Sequence, residues 1–220
     1  MFKYLNSETF TAMTPKTRIE PSWNGMRMAP APRIPPAGKP YEEGAALVMQ
    51  YVEGYVYRTW DLVRAEPEMI DQIYQSARAT DGLDDGDYPS AISLMLACGE
   101  KGYVCNGTGA GKIELAVGYV RNQAADLKYF LRQYGQLILE TKITSTTYNQ
   151  NNYEIASAGT NLNFDEYSKG FIMYGYDSSY IYIQNSRGPY AGSYGFHKMP
   201  WSIVPNLVLR GLCWKLENPA

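Results

Sequence analysis

The segment Lys169-Gly-Phe-Ile-Met-Tyr-Gly-Tyr-Asp-Ser-Ser-Tyr-Ile-Tyr-Ile-Gln-Asn-Ser-Arg-Gly188 decides the architecture. β-Branched and aromatic residues crowd two runs, Phe171 to Tyr176 and Tyr180 to Gln184, and Asp177-Ser178 separates them with turn chemistry. A β-hairpin is predicted. Further on, Tyr194 to Met199 and Leu207 to Trp214 also read as strands, so the last third of the chain is β in character.

The first half has a different period. From Glu43, apolar residues recur three and four apart at Ala45, Val48, Met49, Val52 and Val56, which predicts a long core helix. A second helix is predicted from Pro67 to Ala79 and a third from Pro89 to Gly99, with the glycine as its C-cap. Asn122 to Tyr134 reads as another helix, followed by the strand Gln136 to Ile143. Helices first and strands later predict an α+β protein with segregated lobes, about 41–110 helical and 111–220 β. Residues 1–40 hold seven of the thirteen prolines and should form an extended arm. Either it lies on the domain surface, anchored by Trp23 and Met26, or it reaches to a partner.

Composition narrows the function classes. The 220 residues are 45% hydrophobic and 19% charged with a formal charge of −2, and no basic run marks a nucleic-acid or membrane surface. Cys98, Cys105 and Cys213 are too scattered for a disulfide framework, and one histidine makes a Cys/His metal site a poor expectation. No metal or cofactor is predicted. The N-terminus lacks the apolar core of a signal peptide, which favours a cytoplasmic or virion location over secretion. The acidic loop Asp81 to Asp87 lacks the ligand spacing and terminal glutamate of a calcium loop, so a solvated turn is expected. Asn106-Gly-Thr-Gly-Ala-Gly-Lys112 has Asn106 where a phosphate loop needs its first glycine and Ile113 where it needs Ser or Thr, which leaves a flexible connection between lobes.

From Lys169 to Phe196 the chain resembles, without a gap, the catalytic segment of papain-like cysteine peptidases, H-A-V-x-x-V-G-Y-G followed by N-S-W-G-x-x-W-G-x-x-G-Y. Gly175, Tyr176, Asn185, Ser186, Gly188, Gly192, Gly195 and the aromatic Phe196 fall in register. Lys169 stands at the histidine, and Arg187 and Ala191 stand at the tryptophans. Earlier, Ala37 to Leu47 is similar to Q-G-S-C-G-S-C-W-A-F-S, and Asp84 to Ala91 to C-N-G-G-Y-P-x-x-A. The resemblance implies a papain-like two-lobed fold with a helical N-terminal lobe and an antiparallel β-sheet or barrel-like C-terminal lobe.

It also implies a degenerate site. Glu43 occupies the nucleophile position, Ala37 that of the oxyanion glutamine and Lys169 that of the general base, leaving Asn185 as the only match. Acyl transfer by this family needs a thiolate, an imidazole, an oxyanion donor and a group orienting the ring. A pseudoenzyme is therefore expected. Glu43 and Lys169 either form a salt bridge that keeps the polarity of the lost ion pair or are separately solvated. Cys98 falls on an apolar helical face and should be core, and His197, with no evident thiol partner, reads as a surface or cross-strand histidine.

Tyrosine numbers 20, and Tyr174, Tyr176, Tyr180, Tyr182, Tyr190 and Tyr194 cluster in the β lobe as candidate binding residues. The alternative is ordinary strand coverage. The resulting expectation is a non-catalytic papain-fold protein with a structural, assembly or binding role, engaging protein partners in a homo- or hetero-oligomer, with a phage virion as one setting. The alternatives are a hydrolase or transferase using Glu43, Lys169 and Asn185, and a peptide-binding inhibitor or decoy.

Overall fold

The period-2 alternation of the β strands builds the molecule outward from one sheet. The structure, a computed structural model, describes residues 23–24, 44, 47–48, 50–51, 68–83, 89–101, 103–105, 108–110, 115–143, 152–155, 170–186 and 191–216. Its strands are β1 (Trp23–Asn24), β2 (Tyr103–Cys105), β3 (Thr108–Ala110), β4 (Leu115–Val120), β5 (Leu137–Thr141), β6 (Gly170–Tyr176), β7 (Tyr180–Gln184), β8 (Phe196–Pro200) and β9 (Val208–Leu216). Gly44, Leu47, Val48, Gln50 and Tyr51 are helical and represent the first helix, α1. The others are α2 (Glu68–Asp81), α3 (Ala91–Lys101), α4 (Ala124–Tyr134) and the short α5 (Val204–Leu207).

The main sheet runs β4-β9-β5-β6-β7-β8, with every pairing antiparallel. It is an open sheet, and the whole is α+β, as expected. In register, Ile138 of β5 faces Ile172 of β6 on one side and Leu212 of β9 on the other. These three are buried on the face that meets Leu47, Val48 and Tyr51 of α1 and the inner sides of α2 and α3. Their neighbours Leu137, Leu139, Phe171, Met173 and Cys213 point the other way, into a second core closed by Leu127, Phe130 and Leu131 of α4. Truncating a side chain in either layer to Ala costs about 2–5 kcal/mol.

Sequence pattern explains most boundaries. Asp177 sets the β6–β7 turn, since its Oδ1 accepts from the backbone N–H of Ser179 and of Tyr180, both at 2.7 Å. The α3 start is capped by Ser90, whose Oγ accepts from Ser93 N at 3.1 Å. Asp81, the last residue of α2, accepts from Ser90 N at 2.9 Å and from the Ser93 hydroxyl, tying the two helices together.

Three expectations are corrected. Gly99 does not cap α3, which continues to Lys101 with the glycine buried inside it. The expected flexible connection around 106–112 includes a short hairpin, with Cys105 paired to Thr108 and Tyr103 to Ala110. β4 was not expected at all; the glycine at 118 weakens its pattern, but six consecutive pairs with β9 hold it. Two residues of the proline-rich arm are described, and they extend the sheet, Trp23 opposite Tyr176 and Asn24 opposite Gly175.

Candidate functional site

Two glycines bear on how closely α1 approaches its neighbours. Gly170 opens β6 immediately after Lys169, and a Cβ placed on it would collide with Leu47 Cδ2 of α1. Gly44 follows Glu43 directly, and a Cβ there would lie 2.9 Å from Leu94 Cδ1 of α3. The absence of side chains at both positions lets α1 sit close to the β6 terminus on one side and to α3 on the other. Ala37, Glu43, Lys169 and Tyr190 themselves lie outside the described residues, and so does the distance between Glu43 and Lys169.

Behind this contact, α1 carries buried polarity. The Gln136 side chain donates to the Tyr51 carbonyl. Gln50 is fully buried, and neither atom of its amide has a hydrogen-bond partner among the described residues.

Asn185 is described in full detail. It follows β7, is 3% exposed, and its Nδ2 donates to the Gly195 carbonyl at 3.1 Å. A carbonyl cannot receive another carbonyl, so this contact fixes which end of the amide is nitrogen. The same Nδ2 lies 2.8 Å from His197 Nε2, which must then be the acceptor. His197 Nδ1 lies 2.8 Å from the Asn152 carbonyl and must carry the hydrogen. The chain's only histidine is thereby held as a neutral Nδ1–H tautomer with both ring nitrogens occupied.

His197 is 0% exposed, which corrects the surface alternative. It stands opposite Ile183 in the β7–β8 ladder, points into the second core, and meets Phe171 edge-on at 6.4 Å between ring centroids. Burial lowers its pKa below the usual 6.5, more than the Asn152 bond raises it. The ring fits because residue 192 is a glycine. A Cβ there would lie 2.7 Å from His197 Nδ1 and nearer still to Cε1 and to the Phe196 carbonyl, and Gly192 has φ +60°.

Sequence reasoning singled out Asn185 and Gly192 but missed their link to His197. The signal was the β hairpin itself. Continuing the β7–β8 register one step beyond Gln184 and Phe196 brings Asn185 to Gly195, next to the histidine.

The candidate tyrosines divide. Tyr174 is 3% and Tyr176 1% exposed, so neither belongs to a surface; both are used in packing. Tyr174 packs edge-on against Phe196, and Tyr176 against Trp201. Burial pushes the Tyr174 phenol well above its ordinary pKa. Tyr180 and Tyr182 are half-buried. Tyr182 donates to Asp177 Oδ2 at 2.6 Å, and that bond, followed by burial, raises its pKa to about 12. Lys198 Nζ sits 4.1 Å over the Tyr180 ring while pairing with Glu154 at 2.9 Å. Tyr194 is 78% exposed at φ 56°.

Cys98 and Cys213 are buried, and burial raises the Cys213 thiol to about 12, the wrong direction for a nucleophile. Among the described residues no group of His, Cys, Asp and Glu is arranged to hold a metal, and no helix is long and apolar enough to cross a membrane.

No protein-family model and no curated protein sequence matches the chain. Its structure does match solved ones. A Carica candamarcensis cysteine protease in complex with E-64 superposes with TM-score 0.66 at 14% identity, over 90% of this chain and 99% of that one. Digestive procathepsin L 3 of Tenebrio molitor larval midgut gives 0.67 at 13%, over 91% and 71%. Xylellain, a cysteine protease from Xylella fastidiosa, gives 0.63 at 16%, over 97% and 91%. The chain has a papain-like fold.

Proposed function

We propose that this chain is a non-catalytic papain-fold protein with a structural, assembly or binding role, and that a phage virion is its setting. The observation that supports it best is the commitment of Asn185. In the family the sequence resembles, this residue orients a catalytic imidazole; here its amide nitrogen serves a turn carbonyl and a buried histidine. That histidine offers no free lone pair, because Nε2 already accepts and Nδ1 donates.

Chemistry elsewhere agrees. A Glu43 carboxylate is a poor acyl nucleophile at neutral pH, and a lysine near its reference pKa of about 10.4 is a poor base. Cys98 and Cys213 lie in the two cores and are unavailable as substitutes. On the binding side, the sheet offers the half-buried Tyr180 and Tyr182, the 41% exposed Tyr153 and the exposed Tyr194, residues that give large contact area with a polar handle.

Native mass spectrometry of the protein taken from its source tests the reading. Recovery within a stoichiometric particle or oligomer is expected. A free monomer that hydrolyses peptides or esters would overturn it.

A further inference from the structure

We propose that the turn from Ala191 to Phe196 is an acid-released latch, closed by the hydrogen bond from Asn185 to His197 and carrying Tyr194 at its tip. The turn has its own backbone bonds, Gly195 N to the Ala191 carbonyl at 2.7 Å, Ser193 N to the Phe196 carbonyl at 3.0 Å and Phe196 N to the Ser193 carbonyl at 3.1 Å. Besides the Gln184–Phe196 pair of the β7–β8 ladder, it is held at the end of β7 through one atom. The Gly195 carbonyl accepts both the backbone N–H of Asn185 at 3.0 Å and its side-chain Nδ2 at 3.1 Å.

A solvent proton taken up by the imidazole lands on Nε2, since Nδ1 already carries one. The new N–H then points at the Nδ2 donor of Asn185, 2.8 Å away. Rotating the amide does not help, because Oδ1 would then face the Gly195 carbonyl. The ring has little room to withdraw between Gly192 and Phe171. The amide must leave, and it takes one of the two bonds holding Gly195 with it.

The turn is built to yield there. Gly192, Tyr194 and Gly195 have φ values of 60°, 56° and 88°, and a non-glycine residue in this region stores backbone strain that release relieves. Tyr194 is 78% exposed, so its own side chain opposes the movement little, while Ala191 and Phe196 stay packed at the two ends of the turn.

Among the described residues, few other titratable groups stand on the packed elements. β6 and β7 bring only phenols, Tyr174, Tyr176, Tyr180 and Tyr182, and the turn brings Tyr194. Residues 152–155 bring Tyr153 and Glu154, and β8 brings Lys198, which Glu154 pairs. Asp177, beyond β6, is lowered from its ordinary value: burial raises it, but Tyr182 and the turn amides outweigh that. Burial of the imidazole places the event below the ordinary histidine range.

The test uses the full chain, in which the single histidine makes its imidazole resonances self-assigning. Nitrogen shifts at pH 7.5 should report the Nδ1–H tautomer. As the pH falls below about 6.5, the ring should protonate, and hydrogen-exchange protection of Gly195 and Phe196 should drop at least about tenfold at the same midpoint while Ile138 and Ile172 stay protected. Turn protection that stays flat through the imidazole titration, an Nε2–H tautomer at neutral pH, or protonation only with global unfolding would each overturn the proposal. In Asn185→Asp the carboxylate would accept from a protonated Nε2, so the acid step should vanish; its persistence in folded N185D would also overturn the proposal. If N185D does not fold, the wild-type titration decides alone.

Discussion

Gly192→Ala isolates the contact on which the histidine site depends, because the fold provides its own control. Gly82 and Gly192 have nearly the same φ, +64° and +60°. Around a Cβ at Gly82 there is nothing within 4 Å, whereas a Cβ at Gly192 would lie 2.7 Å from His197 Nδ1 and closer to a backbone carbonyl. Both alanines carry the left-handed penalty of about 1–2 kcal/mol. Only Gly192→Ala adds the cost of forcing atoms into a filled site, about 1–3 kcal/mol. The imidazole cannot bend away as a flexible side chain would, since both its nitrogens are bonded. Urea unfolding of the two variants should therefore differ by about 1–3 kcal/mol. At a slope of about 2 kcal/mol/M that is a midpoint difference of about 0.5–1.5 M, with G192A the weaker. Equal midpoints would refute the close approach of His197 to the turn, and with it the placement of Asn185.

Other expectations follow from the same geometry. Gln50→Leu should raise stability by about 1–3 kcal/mol in thermal or urea unfolding, because it removes two buried amide atoms that have no partner among the described residues. Gly170→Ala should cost less than Gly192→Ala, because its one close atom is Leu47 Cδ2 at the end of a flexible side chain, and Leu47→Ala in the same chain should remove what cost there is in a double-mutant cycle. For His197 the folded pKa lies below the unfolded one, so its contribution is fully present above about pH 6.5 and is lost as the pH falls through the folded value. Urea midpoints measured from pH 7.5 to 5 should fall in wild type and fall less in a folded His197→Phe variant. Cys98 and Cys213 should resist thiol reagents at pH 8 and react on unfolding.

How much was legible in the chain depends on the range of the interaction. The hairpin Tyr180 to Gln184 was read to the residue because Asp177 writes its turn locally and the strand alternates. The helices at 68–81 and 124–134 were placed within two or three residues, since each has its own apolar stripe. β4 was missed because its strand character comes from β9, nearly a hundred residues away in sequence. Tyr174 and Tyr176 were misjudged as surface because tyrosine is common in both settings, and only the packing of Phe196 and Trp201 decides. The site divided the same way. Asn185 was visible in a motif, but its partner His197 sits across a hairpin, and which glycine admits the ring is a matter of three-dimensional space.

The most direct test of the central claim is turnover. Purified protein incubated with broad peptide and ester panels at pH 5 to 8, alongside Glu43→Ala and Lys169→Ala, should give no hydrolysis above buffer in any of the three. Saturable hydrolysis by the wild type that disappears in either variant would contradict a papain fold kept for binding or assembly rather than for catalysis.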